Sequence, residues 1–160
     1  MPYKVTTAGM DSLTQMLDKL GNAAQGVASA GLYEGAGVMA DAVSRSVRGI
    51  DTEPFHYAAG GQTRKPSPEE KALIESAPHG VTKFRKTGTE VSTSVGYSKS
   101  GYGRLGKKTK PIPLIANSIN SGTSFMKKQP FFRKAVSQNQ NAALTAIENG
   151  IYKAIEEMTK

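Results

Sequence analysis

His56 and His79 are the only imidazoles in this chain of 160 residues, and no cysteine accompanies them. Both stand in Pro/Gly-rich stretches, without a His-x-x-x-His or comparable metal-binding spacing. Lacking thiolates, a metal centre would rest on scattered carboxylates, and disulfides, cysteine zinc sites and thiol nucleophiles are excluded. A Ser–His–Asp arrangement is defined by geometry, not spacing, but no Gly-x-Ser-x-Gly elbow marks one. Such a hydrolase would need His56 or His79 in a pocket beside an acid, and it ranks last. Gly101-Tyr102-Gly103-Arg104-Leu105-Gly106 fits the Gly-x-Gly-x-x-Gly pattern of dinucleotide sites. It runs on into Lys107-Lys108-Thr109-Lys110-Pro111, so the helix whose amides should hold the pyrophosphate is missing. The expectation is a protein with no catalytic residues, no metal and no cofactor.

Charge is the stronger chemical signal. The formal net charge is +8, and its distribution is uneven. Residues 1–80 carry seven Lys/Arg against nine Asp/Glu, and residues 135–160 carry two against three. Residues 81–134 hold twelve Lys/Arg against the single acid Glu90. A block this basic points to a polyanion or an acidic protein surface as partner. Its densest part is 98–111, a glycine- and lysine-rich run with Lys99, Arg104, Lys107, Lys108 and Lys110 around Tyr102. Its composition suits phosphate neutralisation without base readout, and no helix-turn-helix, zinc finger or RRM signature stands nearby. With no periodicity, 98–111 is expected to be a mobile loop.

The elements that must position these groups follow from periodicity. Ser12-Leu13-Thr14-Gln15 has the spacing of a capping box. Leu13, Leu17, Leu20, Ala24, Val27 and Ala28 then fall on one helical face, resumed by Val38, Met39, Ala42, Val43 and Val47. One long helix, or two with a kink, should end at Gly49 as its C′ residue. Glycines 21, 26, 31, 35 and 37 each cost a helix up to ~1 kcal/mol relative to Ala. With many alanines beside them, they would let another backbone come close. Residues 49–80 read as a variable loop broken by Pro54, Gly60, Gly61, Pro66 and Pro78. Inside it Ser67, Pro68 and Glu70 start a short helix that carries Leu73 and Ile74 to the core.

From Val81 the period becomes two. Val91, Thr93, Val95 and Tyr97 alternate with Ser92, Ser94 and Gly96. Thr82 and Phe84 precede them across Thr87-Gly88, which predicts a β-hairpin. Ile112, Leu114, Ile115 and Ile119 form a short helix or a third strand. Pro130 opens a last helix whose apolar stripe is Phe131, Ala135, Ala142, Ala146, Ile147, Ile151, Ala154, Ile155 and Met158. The fold class is α+β: a small antiparallel sheet with a β-hairpin, packed against a long N-terminal and a long C-terminal helix in a single domain, 1–160. No run approaches the ~18 apolar residues of a membrane span, and no apolar stretch follows Met1-Pro2-Tyr3-Lys4, so neither a membrane partner nor a secretory signal is expected.

The stretch Ile115-Ala116-Asn117-Ser118-Ile119-Asn120-Ser121-Gly122-Thr123-Ser124-Phe125-Met126-Lys127-Lys128-Gln129-Pro130-Phe131-Phe132-Arg133-Lys134-Ala135 resembles the signature of the neck, or tail-completion, proteins of long-tailed bacteriophages. In that family a Gly-Thr step precedes Pro-Phe-x-Arg-x-Ala and a C-terminal helix. Gly122, Thr123, Pro130, Phe131, Arg133 and Ala135 occupy those positions here. Asn120 and Ser121 stand where many relatives place an acid before Gly-Thr. The relatives' Pro-x-x-Thr-Gly-x-Leu after the first helix is missing.

The resemblance implies a structural virion protein at the head–tail junction, assembled in the host cytoplasm as a ring, hexameric or dodecameric. It would link head-completion and adaptor proteins to the tail terminator or tail tube around the DNA channel. Gly122, Thr123, Pro130, Phe131 and Phe132 would build the fold and its interfaces, and Arg133 and Lys134 would face a neighbour. Lys99, Arg104, Lys107, Lys108 and Lys110 would meet packaged DNA, without sequence preference, or an acidic partner. The alternative is a stand-alone basic nucleic-acid-binding module.

Overall fold

A computed structural model describes residues 11–77, 79–81, 84–88, 90–97 and 101–160, and for 11–20, 22, 79–81 and 90 the backbone alone. The chain is α+β. One continuous helix, α1 (Asp11–Arg48), spans 38 residues, a length of about 57 Å at 1.5 Å per residue. The side chains of the expected Ser12 capping box lie outside the description. At the other end Gly49 follows the helix as expected, but its backbone is not left-handed. Its N–H bonds the Ser46 carbonyl at 3.1 Å in a tight last turn. Lys71 Nζ closes this end by donating to the carbonyls of Arg48 (2.7 Å) and Ile50 (3.1 Å), where a cation complements the helix dipole.

The last helix, α4 (Phe131–Thr159), runs antiparallel to α1, and glycine sets how close the two come. A Cβ built on Gly150 would lie 2.9 Å from the Cα of Gly31, and one on Gly31 would lie 2.8 Å from the Ile147 carbonyl oxygen. One on Gly35 would lie 3.0 Å from the Ala143 carbonyl oxygen. Three missing side chains therefore let the helices touch backbone to backbone. The α4 stripe differs in detail from its expected composition. Phe131, Ala135, Ala143 and Gly150 are buried, Ala142 is exposed, and Met158 is 45% exposed.

The short helix α2 (Pro68–Ser76) begins as its sequence predicts. The Glu70 N–H donates to Ser67 Oγ (3.2 Å), and the Ser67 N–H donates to Glu70 Oε2 (2.8 Å). A cap of this kind contributes ~1 kcal/mol. Ile74 is fully buried, and Leu73 packs half-buried against the core.

The expected hairpin forms as two separate antiparallel ladders. Strand β2 (Arg85–Thr87) pairs with β3 (Glu90–Ser92) beyond Gly88, whose φ is +59°. Strand β1 (His79–Val81) pairs with β4 (Val95–Tyr97), one residue out of register with the first ladder. Thr82 lies outside the described residues, and Phe84 stands between strands, not within one. Residues 112–121 resolve the open choice in favour of a helix, α3 (Ile112–Ser121). Its Ile115, Ala116 and Ile119 meet Val43, Val47 and Ile50 of the α1 end, Ile74, Met126 and Phe131 in one buried cluster. Completely burying side chains such as Ile74 and Ile119 stabilises by roughly 1.5–3 kcal/mol each.

The basic run 98–111 requires a correction. Residues 102–111 are not structureless: β5 (Tyr102–Leu105) and β6 (Lys108–Pro111) form a second hairpin, turning at Gly106 with φ +58°. A Cβ on Gly103 would fall 2.8 Å from a Leu73 methyl, so this strand lies flat on α2. Leu105 adds a half-buried contact to the core. Two small anchoring contacts order a segment that has no periodicity of its own.

Candidate interaction surface

The residues of the Gly-Thr…Pro-Phe-x-Arg-x-Ala segment form a joint between α3 and α4. Gly122 stops α3 with φ +78°, its N–H bonded to the Ser118 carbonyl at 2.9 Å. Thr123 Oγ1 accepts the Met126 N–H at 3.0 Å, and the Thr123 N–H donates to the Met126 carbonyl at 3.0 Å. Pro130 is the N-cap position of α4 and offers no capping side chain. Asn120 supplies one from a distance, its Oδ1 accepting the Phe132 N–H at 3.0 Å. The Gln129 side chain bridges to loop 49–66, accepting the Asp51 N–H (2.9 Å) and donating to the Asp51 carbonyl (2.7 Å). Phe131 and Ala135 are buried, Phe132 is half-buried, and Arg133 and Lys134 are exposed.

A buried ion pair that spacing did not reveal secures the same joint. Arg64 and Glu70 meet through two bonds of 2.7 Å, each side chain 6% exposed. The Arg64 N–H donates to the Phe125 carbonyl (2.9 Å), and the Lys127 N–H donates to the Arg64 carbonyl (2.7 Å). Burial opposes ionisation of Glu70, yet the Arg64 guanidinium, the Ser67 N–H and the charge of Lys110 outweigh it and hold the carboxyl below its ordinary value. Bonding to Glu70 raises Arg64 in turn, against the opposing cost of its burial. The sequence signal was Glu70, read only as a helix cap; Arg64 carries no local pattern.

The second hairpin presents its cations on two faces, since directly opposed residues in a ladder share one. Arg104 pairs with Thr109 on the face of exposed Tyr102. Lys110 pairs with Gly103 and Lys108 with Leu105, on the face turned toward α2. Lys107 occupies the turn beside Gly106. All four cations are exposed, but they do not make one uniform surface. Lys99 lies outside the described residues.

A cleft of about 460 Å³ lies between the end of α1 and the beginning of α4. Arg45 of α1, Lys128 of the joint and Lys134 of α4 line it above Ala42, Ile50, Phe131 and Ala135. A smaller one of about 260 Å³ runs between the helix pair and the first hairpin, lined by Leu32, Met39, Val95, Leu144 and Ile147. Neither contains a histidine. His56 is exposed, with Nδ1 3.1 Å from the Pro54 carbonyl and Nε2 3.8 Å from Glu53 Oε1. The side chain of His79 lies outside the description. Among the described residues, no three His, Asp or Glu side chains could share a metal ion, and no helix is long and apolar enough to cross a membrane.

Compared with protein-family models, with curated proteins and with solved structures, the chain matches none.

Proposed function

We propose that this chain is a non-enzymatic structural protein of the head–tail junction of a long-tailed bacteriophage, acting as a neck or tail-completion component. The observation that supports this reading is how segment 115–135 divides its labour. Gly122, Thr123, Phe131 and Ala135 build a rigid joint, whereas Arg133 and Lys134 emerge from the first turn of α4 into solvent. A fixed joint with projecting cations suits a subunit that docks against neighbours by shape and charge.

Assembly would proceed by heterologous contact, one patch of each subunit meeting a different patch on the next, with rotation closing a ring. Tyr33 of α1 and Leu144 and Tyr152 of α4 are each more than half exposed and supply apolar area for such contacts. The second hairpin, with Arg104, Lys107, Lys108 and Lys110, would face the DNA channel or acidic neighbours.

Add-back is the decisive test. Heads and tails produced without this chain should remain separate and join when the purified chain is supplied. Normal joining in its absence refutes the proposal.

The nucleic-acid-binding alternative keeps one observation in its favour: the basic segment is a two-stranded ribbon, a shape the major groove admits. It requires tight binding to duplex DNA with a log–log salt slope of about −0.9 per phosphate contacted. Weak binding that never saturates is the outcome for a junction protein.

A further inference from the structure

Three cations from three separate elements converge on the cleft between α1 and α4. Arg45 comes from the last turn of α1, Lys128 from the joint and Lys134 from the first turn of α4. No Asp or Glu lines the cleft. Among the described residues, no ion pair involves any of the three, whereas Arg48 pairs with Glu75 at 3.7 Å and Lys65 with Asp51 at 3.6 Å. Three of the neutral side chains around them are already engaged within the chain, and a fourth, Gln138, is exposed. Ser46 Oγ donates to the Phe131 carbonyl (2.8 Å), Asn139 Nδ2 to the Ala135 carbonyl (2.9 Å), and Gln129 is held by Asp51. Whatever enters is therefore met by positive charge at the walls and by Ala42, Ile50 and Phe131 at the floor.

We infer that this cleft is a docking site for an acidic peptide segment of another polypeptide, one that sets carboxylates around a large apolar side chain. The carboxylates would meet Arg45, Lys128 and Lys134, and the apolar side chain would fill the floor. Duplex DNA fits less well. A cleft of about 460 Å³ admits a few side chains, not a duplex, and phosphates would reach only the rim and leave the apolar floor wet. The chain's own end is a poor occupant too, because Lys153 and Lys160 offset two of the three acids Glu148, Glu156 and Glu157. The inference goes beyond the junction proposal and stands without it.

The test uses the full chain and three fluorescein-labelled probes followed by anisotropy. One is a peptide of alternating Asp/Glu around a central Leu, the second has Ser in place of that Leu, and the third is a short DNA duplex. The Leu peptide should bind most tightly, and its affinity should fall with salt. Replacing Arg45, Lys128 and Lys134 together with Ala should weaken it roughly tenfold or more, as expected for three partly exposed charge pairs. These side chains are exposed and Ala keeps the Lys128 Cβ that packs near Gly122, so the variant should melt like the wild type, which circular dichroism checks. The inference is overturned if the Leu peptide binds no better than the Ser peptide, or if the triple variant binds it unchanged. It is likewise overturned if only the duplex binds in a manner that the triple variant loses.

Discussion

Replacing Gly150 and Gly37 by Ala, one at a time, should move stability in opposite directions although both are helical glycines. At Gly37 an added methyl meets nothing within 4 Å, so the change keeps only the helix-propensity gain of up to ~1 kcal/mol. At Gly150 the methyl would sit 2.9 Å from the Gly31 Cα, 3.0 Å from Glu34 Cγ and 3.3 Å from the Ala30 carbonyl oxygen. Glu34 can swing away, but the other two atoms are backbone of the facing helix. Carbon contacts are comfortable near ~3.5 Å or beyond, so α1 and α4 must part by roughly half an ångström. Overpacking of this kind costs typically ~1–3 kcal/mol, which exceeds the propensity gain. For a chain of this size Gly150→Ala should lower Tm by about 3–6 °C, and Gly37→Ala should raise it by about 2–3 °C. Thermal unfolding followed by circular dichroism reads both. If Gly150→Ala stabilises as much as Gly37→Ala, the close backbone contact does not exist and the account of the glycine-rich helix is wrong.

Other outcomes follow from the joint and its buried pair. Glu70→Gln leaves the Arg64 guanidinium buried without its counter-charge and should cost about 3–5 kcal/mol in urea unfolding; a loss under 1 kcal/mol contradicts the pair's role. Because the Glu70 carboxyl titrates below its ordinary value of 4.5 when folded, its contribution is complete above that pH and lost as pH falls through the folded value. Denaturation midpoints of the wild type should therefore fall on acidification below pH 4.5, and less steeply in Glu70→Gln. Gly122→Ala combines a left-handed backbone at φ +78° with a Cβ 3.0 Å from that of Lys128, and should destabilise by roughly 1–3 kcal/mol in the same measurement. Burial pushes the Tyr97 phenol up to about 12, so the last rise in tyrosinate absorbance should appear there and vanish in Tyr97→Phe.

Much of the architecture is legible in the sequence because it depends on near neighbours. Ser67, Pro68 and Glu70 specify the start of α2 through bonds spanning three residues. The alternation of Val91, Thr93, Val95 and Tyr97 with serines marks a strand whose two faces differ in exposure. Gly88 marks the reversal because the turn needs a positive φ there. The small residues of α1 announced a close approach, although not which glycines would make it.

What escaped the sequence is what non-local contact creates. The second hairpin owes its order to Gly103 lying on Leu73, thirty residues earlier, and no window around 98–111 contains that contact. Arg64 becomes a structural residue only because Glu70 and the strand-like passage at Met126 close around it. Arg45 belongs to the acidic half of the chain by count, yet it stands with Lys128 and Lys134 in the cleft.

The amino-acid sequence by itself determined α1, α2 and α4, the cap that starts α2, the first hairpin and the position of the basic block, since periodicity, capping and φ preferences act over a few residues. Tertiary structure alone decided which charges stand together and which glycines touch. Those outcomes depend on α1 and α4 lying antiparallel within backbone contact, which brings residues almost ninety positions apart onto one surface.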